Sequence, residues 1–193
     1  MKTPEECNRV CKDPKDRANR FNCVFRRFTK DLLLPQNCTA GVDPANCIGD
    51  GGPSRRVTIL TDDSSDTYPK IPGPPIVVCK GDLVTVHLTN MGSLTTTTIH
   101  WHGLRMRAYN KNYRNERGVW SGQNDYARGN NEDFEGEATP WSDGTPYVTQ
   151  CPVLPGDSFQ YVFYGIPTGT YWYHSHALFQ RVDGAYGSLI IML

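Results

Sequence analysis

Hydrophobic and polar positions alternate most cleanly between Leu83 and Thr89, where Val84, Val86 and Leu88 share one face and Thr85, His87 and Thr89 the other. Period two is the signature of a half-buried strand, and it places His87 on the solvated face. Val57–Thr61 and Ile76–Cys79 are also strand-like. The second is led in by the rigid run Ile71-Pro72-Gly73-Pro74-Pro75 and followed by a turn at Lys80-Gly81-Asp82. Thr95–Trp101 is rich in β-branched residues, which suit a pleated surface. Ser158–Tyr164, Thr170–His176 and Gly187–Leu193 complete the set. Short segments of this kind, separated by turns, predict an all-β chain folded as a Greek-key β-sandwich over residues 56–193.

Two regions fall outside that pattern. Residues 1–55 show little periodicity and read as a Cys-rich, loop-rich N-terminal extension. Residues 105–139 are polar, basic in the first half (Arg105, Arg107, Lys111, Arg114, Arg117) and acidic in the second (Asp125, Glu132, Asp133, Glu135, Glu137). A structureless segment of this length is uncommon inside a compact domain. It reads as a solvated insertion, exposed and mobile because it has no apolar anchors to offset the entropy of ordering. The other reading is a lid that gates a substrate.

Eighteen glycines and fourteen prolines favour short strands and turns over a helical bundle. Formal net charge is zero, which points to neither nucleic acid nor an anionic membrane surface as partner. No run approaches the ~20 apolar residues of a membrane span. Seven cysteines, five of them early in the chain (Cys7, Cys11, Cys23, Cys38, Cys47), indicate disulfides and an oxidising compartment. Zinc at Cys7 and Cys11 is the alternative, but no nearby histidine or tight cysteine pair completes a four-ligand set. Asn37-Cys38-Thr39 matches the glycosylation sequon and agrees with secretion. Met1-Lys2-Thr3-Pro4 carries no apolar signal segment, so the signal of a secreted protein would lie outside this chain.

The chemistry concentrates in the histidines. Four of the five form two His-x-His pairs, His100-Trp101-His102 and His174-Ser175-His176. On a strand, residues i and i+2 point the same way, so each pair presents two imidazoles on one face. Ile99, Trp101, Tyr173 and Ser175 then point to the other. If the two strands approach, four imidazoles converge. Such a set suits copper, zinc, iron or nickel, and the all-nitrogen donor set fits a redox copper site that binds dioxygen. A single His-x-His pair also occurs as plain exposed strand residues; two pairs on aromatic-flanked strands favour the metal.

Several ordered segments carry a resemblance: Ile71-Pro72-Gly73-Pro74-Pro75-Ile76 with Lys80-Gly81-Asp82, Thr98-Ile99-His100-Trp101-His102-Gly103-Leu104, Asp143-Gly144-Thr145-Pro146-Tyr147-Val148-Thr149-Gln150-Cys151-Pro152, Tyr171–His176 and Leu178–Gly187. Over about residues 55–193 the chain resembles the first cupredoxin (plastocyanin-like) domain of the multicopper oxidases, nearest to the laccases of insects and related animals. The Cys-rich extension is similar to theirs as well. The resemblance implies that His100 ligates the type 2 copper, His102 and His174 one type 3 copper, and His176 the other. It implies that Asp143 relays protons to dioxygen as it is reduced to water. It also implies that the remaining cluster histidines, a His-Cys-His motif and the type 1 copper that takes electrons from a phenolic substrate belong to later cupredoxin domains. This chain alone would then be inactive. In fungal laccases the cysteine of a similar Gln-Cys-Pro motif bonds near the far C-terminus, so Cys151 is expected unpaired and the other six cysteines paired.

The spacing departs from the family at one place: Gly103 and Asp143 stand forty residues apart where the family keeps the two motifs close. Two alternatives to an oxidase domain remain. One is a stand-alone cupredoxin-like module that binds copper without catalysis. The other is a zinc hydrolase, disfavoured because no carboxylate or water geometry can be read beside the histidines.

Overall fold

The computed structural model describes residues 22–35, 54–62, 64, 71–93, 95–108 and 137–193. Ten strands are described: β1 (Asn22–Pro35), β2 (Ser54–Thr61), β3 (Gly73–Cys79), β4 (Leu83–Asn90), β5 (Ile99–His102), β6 (Arg107–Ala108), β7 (Glu137–Ala138), β8 (Ser158–Tyr164), β9 (Gly169–Ser175) and β10 (Tyr186–Met192). A single turn of helix, α1 (Gln180–Asp183), joins β9 to β10. One sheet runs β2-β1-β4-β8 and the other β3-β10-β9-β5, with β6-β7 as a separate ribbon. Four of the six neighbouring pairs in the two four-stranded sheets are not consecutive in sequence, and the chain crosses repeatedly between sheets, as in a Greek-key, cupredoxin-like sandwich. Each segment read as a strand contains one, although in Thr95–Trp101 the strand begins only at Ile99 and in Thr170–His176 it ends at Ser175.

The two inner faces form one core. Phe25, Leu60, Val84, Val86, Leu88, Tyr161 and Phe163 come from the first sheet; Ile76, Val78, Ile99, Trp101, Tyr173, Leu189 and Ile191 come from the second. Trp101 is fully buried and contacts Phe163, Tyr161 and Tyr173, with ring centroids 4.7, 5.6 and 5.7 Å away. His87, on the outer face of β4, is exposed as its alternation requires. Ahead of it, the Lys80-Gly81-Asp82 turn is closed by the buried Asp82 carboxylate, which accepts the Cys79 N–H at 2.9 Å.

Residues 22–35 correct the reading of the N-terminal extension as loop. They form the longest strand described, pairing parallel with β4 and antiparallel with β2, so this sheet draws strands from both sides of position 55. The inward positions are Cys23, Phe25, Arg27 and Thr29, all buried. Two of those four are polar, and this hides the period-two signal. Arg27 is buried because all three nitrogens of its guanidinium have acceptors. It donates to Tyr173 Oη at 3.1 Å, Arg26 O at 2.7 Å, Pro74 O at 3.0 Å and Pro75 O at 3.3 Å.

The ends of the polar insertion are likewise not structureless. β6 and β7 pair antiparallel, Met106 joins the core cluster, and the buried Thr139 donates its N–H to Met106 O at 3.0 Å. Backbone pairing at the base supplies the anchor that side-chain composition does not show. Residues 109–136, and the expectation of mobility there, lie outside the described residues, as do Cys7, Cys11, Cys38, Cys47 and the Asn37 sequon. Cys151 is a free, exposed thiol, while Cys23 and Cys79 are disulfide-bonded. No described helix is long and apolar enough to cross a membrane.

Candidate metal centre

The two His-x-His segments sit on neighbouring strands of one sheet. β5 and β9 pair antiparallel with Ile99 opposite Ser175, His100 opposite His174, Trp101 opposite Tyr173 and His102 opposite Trp172. Register therefore puts His100 directly beside His174, and their ring centroids are 5.5 Å apart. Ile99, Trp101, Tyr173 and Ser175 are buried on the core face, as the strand period requires.

Three imidazoles offer nitrogens within 4.8 Å of one another: His100, His102 and His174. His102 Nδ1 lies 3.3 Å from His174 Nε2. Two nitrogens bound to one ion at about 2.0–2.1 Å, as imidazoles bind zinc, stand roughly 3.3 Å apart at a tetrahedral angle. The observed pair stands at the spacing of two ligands on one metal, which is also that of an N–H···N hydrogen bond between the rings. His176 lies just outside this group. It is exposed and follows the end of β9, its ring centroid 5.5 Å from His100 and 6.0 Å from His174.

Hydrogen bonds at the opposite ring edges set which nitrogens are available. His100 Nδ1 donates to Asp143 O at 2.7 Å, and His174 Nδ1 donates to Ser175 O at 2.9 Å. Each bond fixes the tautomer that leaves Nε2 with its lone pair outward, the arrangement that orients metal-bound histidines. Trp172 stacks on His102 at 5.1 Å, closing one side of the group. Burial pushes the His174 pKa down to about 4; the Ser175 carbonyl opposes this, and His100, Arg181 and His102 add to it. His174 is thus neutral and able to ligate at neutral pH.

Asp143 reaches this centre despite its distance along the chain. The β6–β7 ribbon returns the chain to the sandwich, and a 3-10 turn at Pro140–Ser142 carries it to Asp143. Its carbonyl holds His100, and its Oδ1 is 3.5 Å from the same Nδ1. Its Oδ2 accepts from Thr145 Oγ1 at 3.1 Å. Gly144, at φ +82°, packs against the backbone of β5. Tyr161, fully buried, accepts the Ile99 N–H at 2.8 Å. Sequence reasoning assigned no role to Gly144 or Tyr161, because both act through backbone contacts that only the packed sheets create.

A family described as Multicopper oxidase matches residues 60–114 and 132–192, the gap falling inside the polar insertion. The L-ascorbate oxidase of Nicotiana tabacum is 37% identical over 122 residues, 63% of this chain and 16% of that protein. Laccase-3 of Trametes villosa is 39% identical over 126 residues, 62% of this chain and 20% of that protein. Among solved structures, Fet3p, a multicopper oxidase that functions in iron import, superposes with a TM-score of 0.57 at 27% identity, covering 90% of this chain and 23% of that one. The chain spans less than a quarter of the length of each of these relatives.

Proposed function

This chain belongs to the multicopper oxidase family, and we propose that it supplies four histidine ligands to the dioxygen-reducing copper cluster of a laccase-like enzyme. The observation that carries the reading is the 3.3 Å approach of His102 Nδ1 to His174 Nε2, with His100 beside them. In this reading His102 and His174 hold one type 3 copper. His100, anchored separately by Asp143 O, holds the type 2 copper, and His176, whose nitrogens fall outside the close group of the other three, serves the second type 3 ion. Bound copper supplies the one-electron steps that dioxygen reduction requires. The chain's own part is to hold neutral imidazoles at fixed spacing and to place a carboxylate beside them. Asp143, about one-third exposed, is suited to pass protons from solvent toward the His100 side, because four protons are consumed per dioxygen reduced to water.

The substrate side is assigned to the whole enzyme: a phenol, oxidised through a type 1 copper on another cupredoxin domain. The cupredoxin domain of this reading is residues 56–193 with β1 (Asn22–Pro35) added to its sheet, and the Cys-rich residues around β1 resemble those of animal laccases. Export to an oxidising compartment is supported by the disulfide-bonded Cys23 and Cys79.

The test is to load the purified chain with copper, dialyse it, count retained metal and assay phenol oxidation. One weakly held copper and no turnover are expected, since half a ligand set cannot hold a full cluster. Three tightly held coppers with turnover would overturn the half-cluster account. A folded chain that retains none would favour a cupredoxin-like module without metal.

A further inference from the structure

Gln180, the first residue of α1, is 3% exposed, and every hydrogen-bonding position of its carboxamide is used. Oε1 accepts from Ser175 Oγ at 2.6 Å and from Thr97 Oγ1 at 2.9 Å. Nε2 donates to Thr96 O and to Thr95 Oγ1, each at 2.9 Å. Because Thr96 O can only accept, the orientation of the amide is set by its partners. The Ser175 hydroxyl in turn accepts the Ala177 N–H at 3.2 Å. One side chain thus joins the segment leading into β5 to the residues flanking His176.

We propose that Gln180 is the positioning residue of the metal centre, fixing the gap between its two histidine segments and above all the place of His176. The proposal rests on the reading of this centre as a copper site. His100, His102 and His174 lie within the paired register of β5 and β9, so the backbone ladder already sets their positions along the strands. His176 lies beyond Ser175, the last residue of β9, and its own N–H reaches Thr98 O only at 3.3 Å. The chain is held at that point by the Ser175 N–H, which donates to Ala185 O at 2.8 Å, by Ala177 O, which accepts the Gln180 N–H at 3.2 Å, and by the Ser175–Gln180–Thr97 link, the side-chain tie across to the segment before β5. A buried polar network is no more stabilising than a well-packed apolar replacement, but its directional bonds select one geometry, and apolar packing would not. The sequence places Gln180 inside the Leu178–Gly187 segment that carries the family resemblance but gives its side chain no role.

The experiment uses the whole chain. Cu2+ affinity is measured by chelator competition, and the histidine ring resonances are recorded in the metal-free protein. Gln180→Met should lower Cu2+ affinity roughly 10–100-fold, the usual effect of removing a group that orients ligands. It should also shift the His176 ring resonances more than those of His102. Val78→Ala, a core truncation in β3, serves as control: it should lower the melting temperature without lowering affinity. Ser175→Ala combined with Gln180→Met should weaken binding no further than Gln180→Met alone. If Gln180→Met does not fold, Thr97→Val and Thr97→Ser replace it, with loss expected in the first and recovery in the second. Equal affinity and unchanged His176 resonances in the glutamine variant, or in Thr97→Val if that is used, overturn the positioning role. If the wild-type chain takes up no Cu2+, the copper reading fails by itself, and the His176 resonances alone then decide for or against positioning.

Discussion

A β-carbon on Gly144 would stand 1.7 Å from the carbonyl oxygen of Ile99, so the turn that carries Asp143 lies directly on the backbone of β5. The contact is backbone to backbone, and the glycine also holds φ at +82°, where other residues are strained. Gly144→Ala should therefore destabilise the chain by about 2–4 kcal/mol. It should also pull Asp143 O away from His100 Nδ1. Urea unfolding measures the first effect and the His100 ring resonance the second; a variant as stable as wild type would show that the turn is not seated as described.

The depressed pKa of His174 makes the metal-free chain acid-sensitive. Its folded value, about 4, lies below the ordinary 6.5, so the unfolded chain binds more protons between those limits. The contribution is complete above about pH 6.5 and is lost as pH falls toward about 4. His174→Gln should remove that part of the slope. Urea midpoints compared across this window should converge as pH falls; a constant difference would mean that His174 titrates normally.

Tyr161 is the partner of the Ile99 N–H, on the core side of the strand that carries His100 and His102. Tyr161→Phe keeps the ring, which sits 5.6 Å from Trp101, and removes only the acceptor. A buried N–H left without a partner costs about 1–3 kcal/mol. Thermal unfolding should show that loss, and amide exchange at Ile99 should accelerate.

Arg27 ties the N-terminal strand to the histidine-bearing sheet through Tyr173, which also donates to Pro74 O. Arg27→Leu removes the donor to Arg26 O and Pro75 O and leaves Pro74 O with Tyr173 alone, and a loss of about 2–4 kcal/mol is expected. Deleting the residues before Pro35 removes a strand between β2 and β4 and should abolish cooperative unfolding.

Thiol labelling under native conditions should modify Cys151 and spare the peptides containing Cys23 and Cys79, which are disulfide-bonded. Peptide mass mapping reads this directly. Protection of Cys151 would mean that its thiol is covered or bonded.

Local periodicity determined that His100 and His102 share a face, that Ile99 and Trp101 turn inward, and that seven segments are strands. Each of these depends only on the two-residue repeat of an extended chain. The two His-x-His pairs stood out as candidates for the same reason, since such a pair carries its geometry within three residues. Register was not legible: nothing in either segment says that His100 lies opposite His174 rather than two residues away, because that depends on how whole sheets pack. Nor did spacing reveal Asp143 beside His100, since pairing of β6 with β7 cancels a forty-residue separation. β1 stayed hidden because Arg27 and Thr29 occupy inward positions that only long-range partners make tolerable. Gln180 stayed hidden for the same reason. A polar side chain earns burial only through acceptors and donors from distant segments, and those come together only when the fold is complete.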